Sequence, residues 1–119
     1  MLFKKKMAEK IRCLEKHQTR RLLANKRIYR EGSIQPIQTN YYEKAKDHIK
    51  IQLTWIEKLS DMTEGDAKME GFNSFADFML YLKTINPKAT ITEDLEVRAY
   101  QFEYLPPGSV TSKQSEEKP

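Results

Sequence analysis

Ile49, Ile51, Leu53 and Trp55 alternate with Lys50, Gln52 and Thr54. A period of two sends successive side chains to opposite faces, so this segment predicts a half-buried β-strand with one apolar face. A lone strand is not stable in water, so the rest of the chain must supply partners and cover. Val97 to Leu105 (Val-Arg-Ala-Tyr-Gln-Phe-Glu-Tyr-Leu) is rich in β-favouring aromatics and predicts the last strand. Ile34-Gln35-Pro36-Ile37-Gln38 predicts a short one, with Pro36 at an edge or a bulge because it has no N–H to donate. Glu31-Gly32-Ser33 before it reads as a turn, and the polar stretch Thr39 to Asp47 after it as a loop, partly helical.

Between the strands the period changes. Phe3, Met7, Ile11 and Leu14 recur at steps of four, four and three, one stripe of an amphipathic helix over about residues 4–15. Gln18-Thr19-Arg20-Arg21 then leave the helix, and Leu22, Leu23, Ile28 and Tyr29 return the chain to the core. Thr63 followed by Asp66 resembles a helix N-cap with an acid in the first turn, of a short helix ending near Gly71. Ser74 caps a better helix whose core stripe is Phe75, Phe78, Met79, Leu82 and Ile85, closed by Pro87. Strands at both ends of the core with helices between them predict an α+β fold: a small, bent sheet or β-barrel with flanking α-helices. Periodicity does not choose between the open and the closed form. The expected domain spans residues 1–106, and the Ser-, Lys-, Glu- and Gln-rich residues 107–119 predict a disordered tail.

At 119 residues, 39% apolar and 32% charged, the chain fits one soluble domain with a modest core. No apolar run approaches the roughly 18 residues of a membrane helix. Met-Leu-Phe-Lys-Lys-Lys has no apolar segment behind its charges, so no signal peptide is expected. Cys13 is the lone cysteine, so no intrachain disulfide forms; beside His17 and His48 alone it does not make the usual zinc site. The expectation is a cytoplasmic protein without cofactor, metal or membrane partner. Charge is uneven: residues 1–31 hold 11 Lys/Arg and 3 acids, and the other 88 residues hold 10 bases and 14 acids. That asymmetry predicts one basic face, which attracts phosphates.

Chemistry-bearing residues gather in two short motifs. Lys16, Thr19 and Arg21 lie within six residues, and Glu70 stands in Asp66-Ala67-Lys68-Met69-Glu70-Gly71-Phe72. A threonine hydroxyl needs a base or a cation before it attacks anything, and a desolvated lysine supplies either. Glu70 fits an acid/base partner or a simple ion-pair partner for Lys16. The planar fork of Arg21 suits a phosphate or carbonyl oxygen. The same four residues fit an acyl-transfer or hydrolytic reaction, the holding of one nucleotide without chemistry, or a surface ion pair beside a turn threonine. Tyr41 and Tyr42, in a polar loop, are better candidates for stacking on a base than Trp55, which the alternation places in the core.

These motifs resemble the ASCH domain family, a branch of the PUA-like folds. The family's Gly-x-Lys-x-x-Thr/Glu-x-Arg stands here as Leu14-Glu15-Lys16-His17-Gln18-Thr19-Arg20-Arg21. Its Leu-x-Asp-Ile-Thr-x-x-Asp-Ala-x-x-Glu-Gly-Phe is similar to Leu59 to Phe72, Ile34-Gln35-Pro36 looks like a family strand, and Tyr100 to Leu105 fits the closing one. The resemblance covers about residues 2–105. It implies a PUA-like bent sheet or barrel with a cleft lined by both motifs, and an RNA- or nucleotide-related ligand. In relatives that remove the acetyl group of N4-acetylcytidine, the catalytic groups fall on Lys16, Thr19 and Glu70; Arg20, Arg21, Lys16 and Gln35 are the expected ligand-binding residues. The family's glycine is Leu14 here, which predicts a longer first helix and a displaced Lys16. The leading expectation is an RNA- or nucleotide-binding domain. An amidohydrolase of acylated cytidines is the alternative, and a protein-interaction module the third reading.

Overall fold

The structure, a computed structural model, describes residues 1–110, so the expected tail lies outside the described residues from 111 onwards. In chain order the elements are α1 (Lys5–Arg12), β1 (Gln18–Leu22), β2 (Ile34–Pro36), β3 (His48–Lys58), α2 (Glu64–Met69), α3 (Phe75–Ile85) and β4 (Glu96–Leu105). A 3₁₀ turn, Leu59–Asp61, links β3 to α2. The fold is α+β. Its four strands form one antiparallel sheet in the order β1-β4-β3-β2. With β1 and β2 at opposite ends, the sheet is the open form of the two that the sequence allows. No helix among the described residues is long and apolar enough to cross a membrane.

Two apolar clusters hold the sheet. Phe3, Met7, Ala8 and Ile11 pack with Ile49, Ile51, Tyr100 and Phe102. Phe78, Met79 and Leu82 of α3 pack with Leu59, Met62, Ala67 and Val97. Phe72 packs against both clusters, edge-on to Phe78 with ring centres 5.7 Å apart. At α2 the Thr63 hydroxyl accepts from the Asp66 amide (3.0 Å), and the Asp66 carboxylate accepts from the Thr63 amide (3.1 Å). This reciprocal cap satisfies two otherwise orphaned donors and is worth about 1 kcal/mol.

Four sequence expectations need correction. The first helix stops at Arg12; Leu14 does not extend it but adopts φ +61°, a left-handed conformation that glycine takes without cost. For leucine that conformation costs roughly 1–2 kcal/mol. Gln18–Leu22 is a strand although it carries no apolar alternation; pairing with β4, from Gln18 opposite Gln101 to Leu22 opposite Val97, defines it. Leu23 and Ile28 are exposed, because the chain turns at Leu22–Asn25 and loops over the surface.

The fourth correction concerns β3. Ile49 and Ile51 stand opposite Tyr104 and Phe102, but the pairing then slips, so that Leu53 stands opposite Gln101 and Trp55 opposite Ala99. Gln52 is the extra residue of a β-bulge, which inverts the inward–outward phase beyond it. Leu53 therefore turns outward, and half-buried Trp55 lies on the other face from Ile49 and Ile51.

Candidate functional site

Lys16 and Glu70, 54 residues apart, are both buried, at 3% and 2% exposure. The Lys16 ammonium donates to Glu70 Oε1 at 2.8 Å and to the Glu70 carbonyl at 2.9 Å. The backbone brings them together. The end of α2 docks on the turn after α1, where the His17 amide donates to the Met69 carbonyl (2.6 Å) and Lys10 Nζ to the Gly71 carbonyl (2.5 Å). Gly71 allows this approach: its φ is +97°, and a Cβ there would meet Lys10 Cδ at 3.0 Å and Lys16 Cβ at 3.5 Å.

Arg20 continues the network. Its Nη1 donates to Glu70 Oε2 (3.0 Å) and Gln18 Oε1 (2.8 Å), while Nε and Nη2 both donate to Glu57 Oε1 (2.9 and 2.6 Å). Asp66 adds a longer ion pair at 3.8 Å, and the guanidinium lies 5.9 Å from the centre of the Trp55 ring. Two buried cations are thus met by Glu70, Glu57 and Asp66. Burial pushes the pKa of Lys16 below the ordinary lysine value; the charge and hydrogen bond of Glu70 oppose that shift, and nearby Arg21 and Arg20 reinforce it.

Arg21 is placed differently. On β1, Thr19 and Arg21 share one side and Gln18 and Arg20 the other, as strand alternation requires. Arg21 Nε donates to the Thr19 hydroxyl (3.3 Å), Nη2 donates to the Leu2 carbonyl (2.8 Å), and its guanidinium lies 4.9 Å from the Phe3 ring centre. Among the described residues no carboxylate lies in ion-pair range of Arg21.

Lys16, Thr19, Arg20, Arg21 and Glu70 all line one cavity of about 550 Å³ between the N-terminal segment, β1 and α3. Its remaining wall includes Phe3, Lys4, Asn25, Tyr81 and Asn86. Gln35 is not part of it. It sits on β2, at the far edge of the sheet from β1, and donates to the Ser33 hydroxyl at 3.1 Å. Nor do the hydrogen bonds of Lys16 Nζ reach Thr19; both go to Glu70. Sequence reasoning missed Glu57 and the second role of Asp66 as partners of Arg20. Glu57 carries a readable signal, since it stands two residues from Trp55 and so shares its face of β3. Among the described residues, no three His, Cys, Asp or Glu side chains group as a metal site.

No protein-family model and no curated protein matches the chain. Solved structures do. An ASCH domain from Lactobacillus crispatus aligns with TM-score 0.68 and 19% identity over 82% of this chain and 69% of that one. A protein from Enterococcus faecalis, assigned to the DUF984 family model, aligns with TM-score 0.69 and 13% identity over 86% of this chain and 68% of its own. The S128A mutant of an ASCH protein from Zymomonas mobilis aligns with TM-score 0.63 and 12% identity over 96% and 73%.

Proposed function

We propose, starting from the ASCH-domain fold that this chain has, that it is an RNA- or nucleotide-binding module whose cleft takes one nucleotide. The observation that carries this reading is Arg21, a cation in the cavity wall with no carboxylate in ion-pair range among the described residues. Lys16 and Arg20 are balanced internally, so the positive charge left facing the cavity comes from Arg21 and Lys4. A cavity of about 550 Å³ falls in the range that small-ligand sites occupy. Asn25, Asn86 and the Tyr81 hydroxyl supply hydrogen-bonding groups for a base or sugar, and Phe3 supplies an apolar wall. Calorimetric titration with cytidine 5′-monophosphate tests this, wild type against Arg21→Gln. A charge-assisted hydrogen bond is worth about 1.5–3 kcal/mol, so the variant is expected to bind roughly ten- to a hundredfold more weakly. Wild-type protein that takes up no nucleotide, or equal affinity in the variant, would overturn the reading.

A second reading, deacetylation of an N4-acetylcytidine-type nucleoside, is favoured by the depressed pKa of Lys16 beside Thr19 and Glu70. Thr19 would attack the acyl carbon as Lys16 takes its proton, Glu70 would relay that proton from Lys16 to the nitrogen as the C–N bond breaks, and water would then cleave the acetyl–Thr19 ester to release acetate and restore the hydroxyl. It ranks second because Thr19 is bonded to Arg21 and not to Lys16. Product chromatography with N4-acetylcytidine, wild type against Thr19→Val, decides it: turnover by wild type alone establishes the reaction, and none by either removes it.

A further inference from the structure

A second cationic feature lies beside the cleft. Arg21 stands directly opposite Arg98 across the β1–β4 pair, both on the same side of the sheet. Like charges facing each other across a strand pair are destabilising. Among the described residues neither arginine has an ion-pair partner, and the Arg98 side chain has no hydrogen bond; the more distant charge of Glu70 acts on Arg21. The loop after β1 brings two more cations, Lys26 and Arg27, to the same place. With Tyr100 these side chains line a separate small cavity of about 70 Å³. On the same measure a water molecule needs about 10–15 Å³, so this space suits a compact group of a few heavy atoms. Arg21 lines both this cavity and the larger cleft, so the two are neighbours.

We propose that the Arg21–Arg98–Lys26–Arg27 cavity is a phosphate site, and that it holds a phosphodiester of a nucleic-acid strand whose adjacent nucleotide occupies the cleft. The proposal rests on the nucleotide-binding reading above and sharpens it, from a nucleotide in general to one within a strand. An unopposed arginine pair matches the chemistry of a phosphate, which accepts several N–H donors and cancels the repulsion between them. The shared wall at Arg21 makes the strand reading the more economical one. A phosphate held there is one guanidinium away from the space for the base.

The test titrates a short fluorescein-labelled single-stranded RNA by anisotropy at several salt concentrations, wild type against Arg98→Gln and Lys26→Gln. Neither residue lines the cleft. Loss of one phosphate contact is expected to weaken RNA binding about fivefold and to reduce the salt slope by about 0.7. Affinity for cytidine 5′-monophosphate should stay unchanged, and the melting temperature of Arg98→Gln should hold or rise, since a like-charge pair is relieved. Unchanged RNA affinity and slope in both variants overturn the phosphate site while leaving the cleft reading intact. Equal weakening of mononucleotide and RNA overturns the strand and assigns the site to a free nucleotide. If RNA weakens as expected while wild-type protein binds no mononucleotide, the phosphate site stands and the cleft reading falls. A poly-glutamate peptide bound as tightly as the RNA would show an acidic protein partner and sink the proposal.

Discussion

Glu70→Gln is the most informative single change. Glu70 is the carboxylate shared by Lys16 and Arg20, at 2.8 and 3.0 Å, and all three side chains are almost fully buried. At an effective dielectric of about 20, each contact is worth roughly 6 kcal/mol of attraction, largely offset in wild type by the desolvation of the charges. Glutamine keeps the shape and an acceptor oxygen but removes the charge. Arg20 retains Glu57; Lys16 retains only neutral oxygens. Uncompensated buried charge typically costs about 3–5 kcal/mol, which for a chain of this size lowers the melting temperature by about 10–20 °C. Lys16→Met should cost less, because Glu70 keeps Arg20 as its counterion. The double variant should recover part of the Glu70→Gln loss. Urea and thermal denaturation of all four proteins measure this. The pH dependence gives a second check. Burial holds the folded pKa of Lys16 below its unfolded value, so between the two the unfolded chain binds more protons and stability rises with pH. Without Glu70 nothing opposes the shift, so the window opens further downwards and the deficit of Glu70→Gln shrinks from neutral to alkaline pH. A Glu70→Gln protein within about 1 kcal/mol of wild type, or one no less stable than Lys16→Met, would refute the picture of a buried network held by this carboxylate.

Two further predictions concern parts of the fold that support the site. Leu14 is 62% exposed, so Leu14→Gly gives up little packing and relieves the left-handed strain. Against glycine's own entropy cost the variant is expected to gain about 0.5–1 kcal/mol in urea denaturation, and a loss of stability would show that Leu14 packs in a way its exposure hides. Burial tends to raise the pKa of Asp47, but hydrogen bonds from Arg12 (2.7 and 3.0 Å) and Tyr104 (2.8 Å) outweigh it and hold the group below the usual carboxylate range. Its contribution is therefore complete above the unfolded carboxylate pKa and is lost as pH falls through the lower folded value. Asp47→Asn should be about 1–2 kcal/mol less stable at neutral pH, and the gap should close in acid; a gap independent of pH would contradict the assignment.

The parts of this fold written in local chemistry are readable from the chain. Thr63 with Asp66, Ser74 ahead of an apolar stripe, and Pro36 on an edge strand each announce themselves through their nearest neighbours in sequence. So does the first half of β3. What is not readable depends on a partner across the sheet. Gln18–Leu22 is a strand only because β4 lies beside it, and its polar residues are buried only because Glu57 and Glu70 arrive from remote elements. The bulge at Gln52 is set by the register against β4, so no count along β3 alone predicts that Leu53 turns outward. For the cleft, the first motif names Lys16, Thr19 and Arg21 by their closeness in sequence, the family resemblance adds Glu70, and all four line one cavity. Gln35 belongs to neither motif and lies outside that cavity: three strand-to-strand steps separate β2 from β1.

The bulge in β3 also equips the protein with its own spectroscopic probe. By inverting the strand it sets the chain's one tryptophan, Trp55, against the Arg20 guanidinium. Arg20 is in turn bonded to the carboxylate that holds Lys16. A ligand that shifts any member of that chain of charges alters the field at the indole ring. Intrinsic fluorescence is therefore a label-free readout of that network in the unmodified protein.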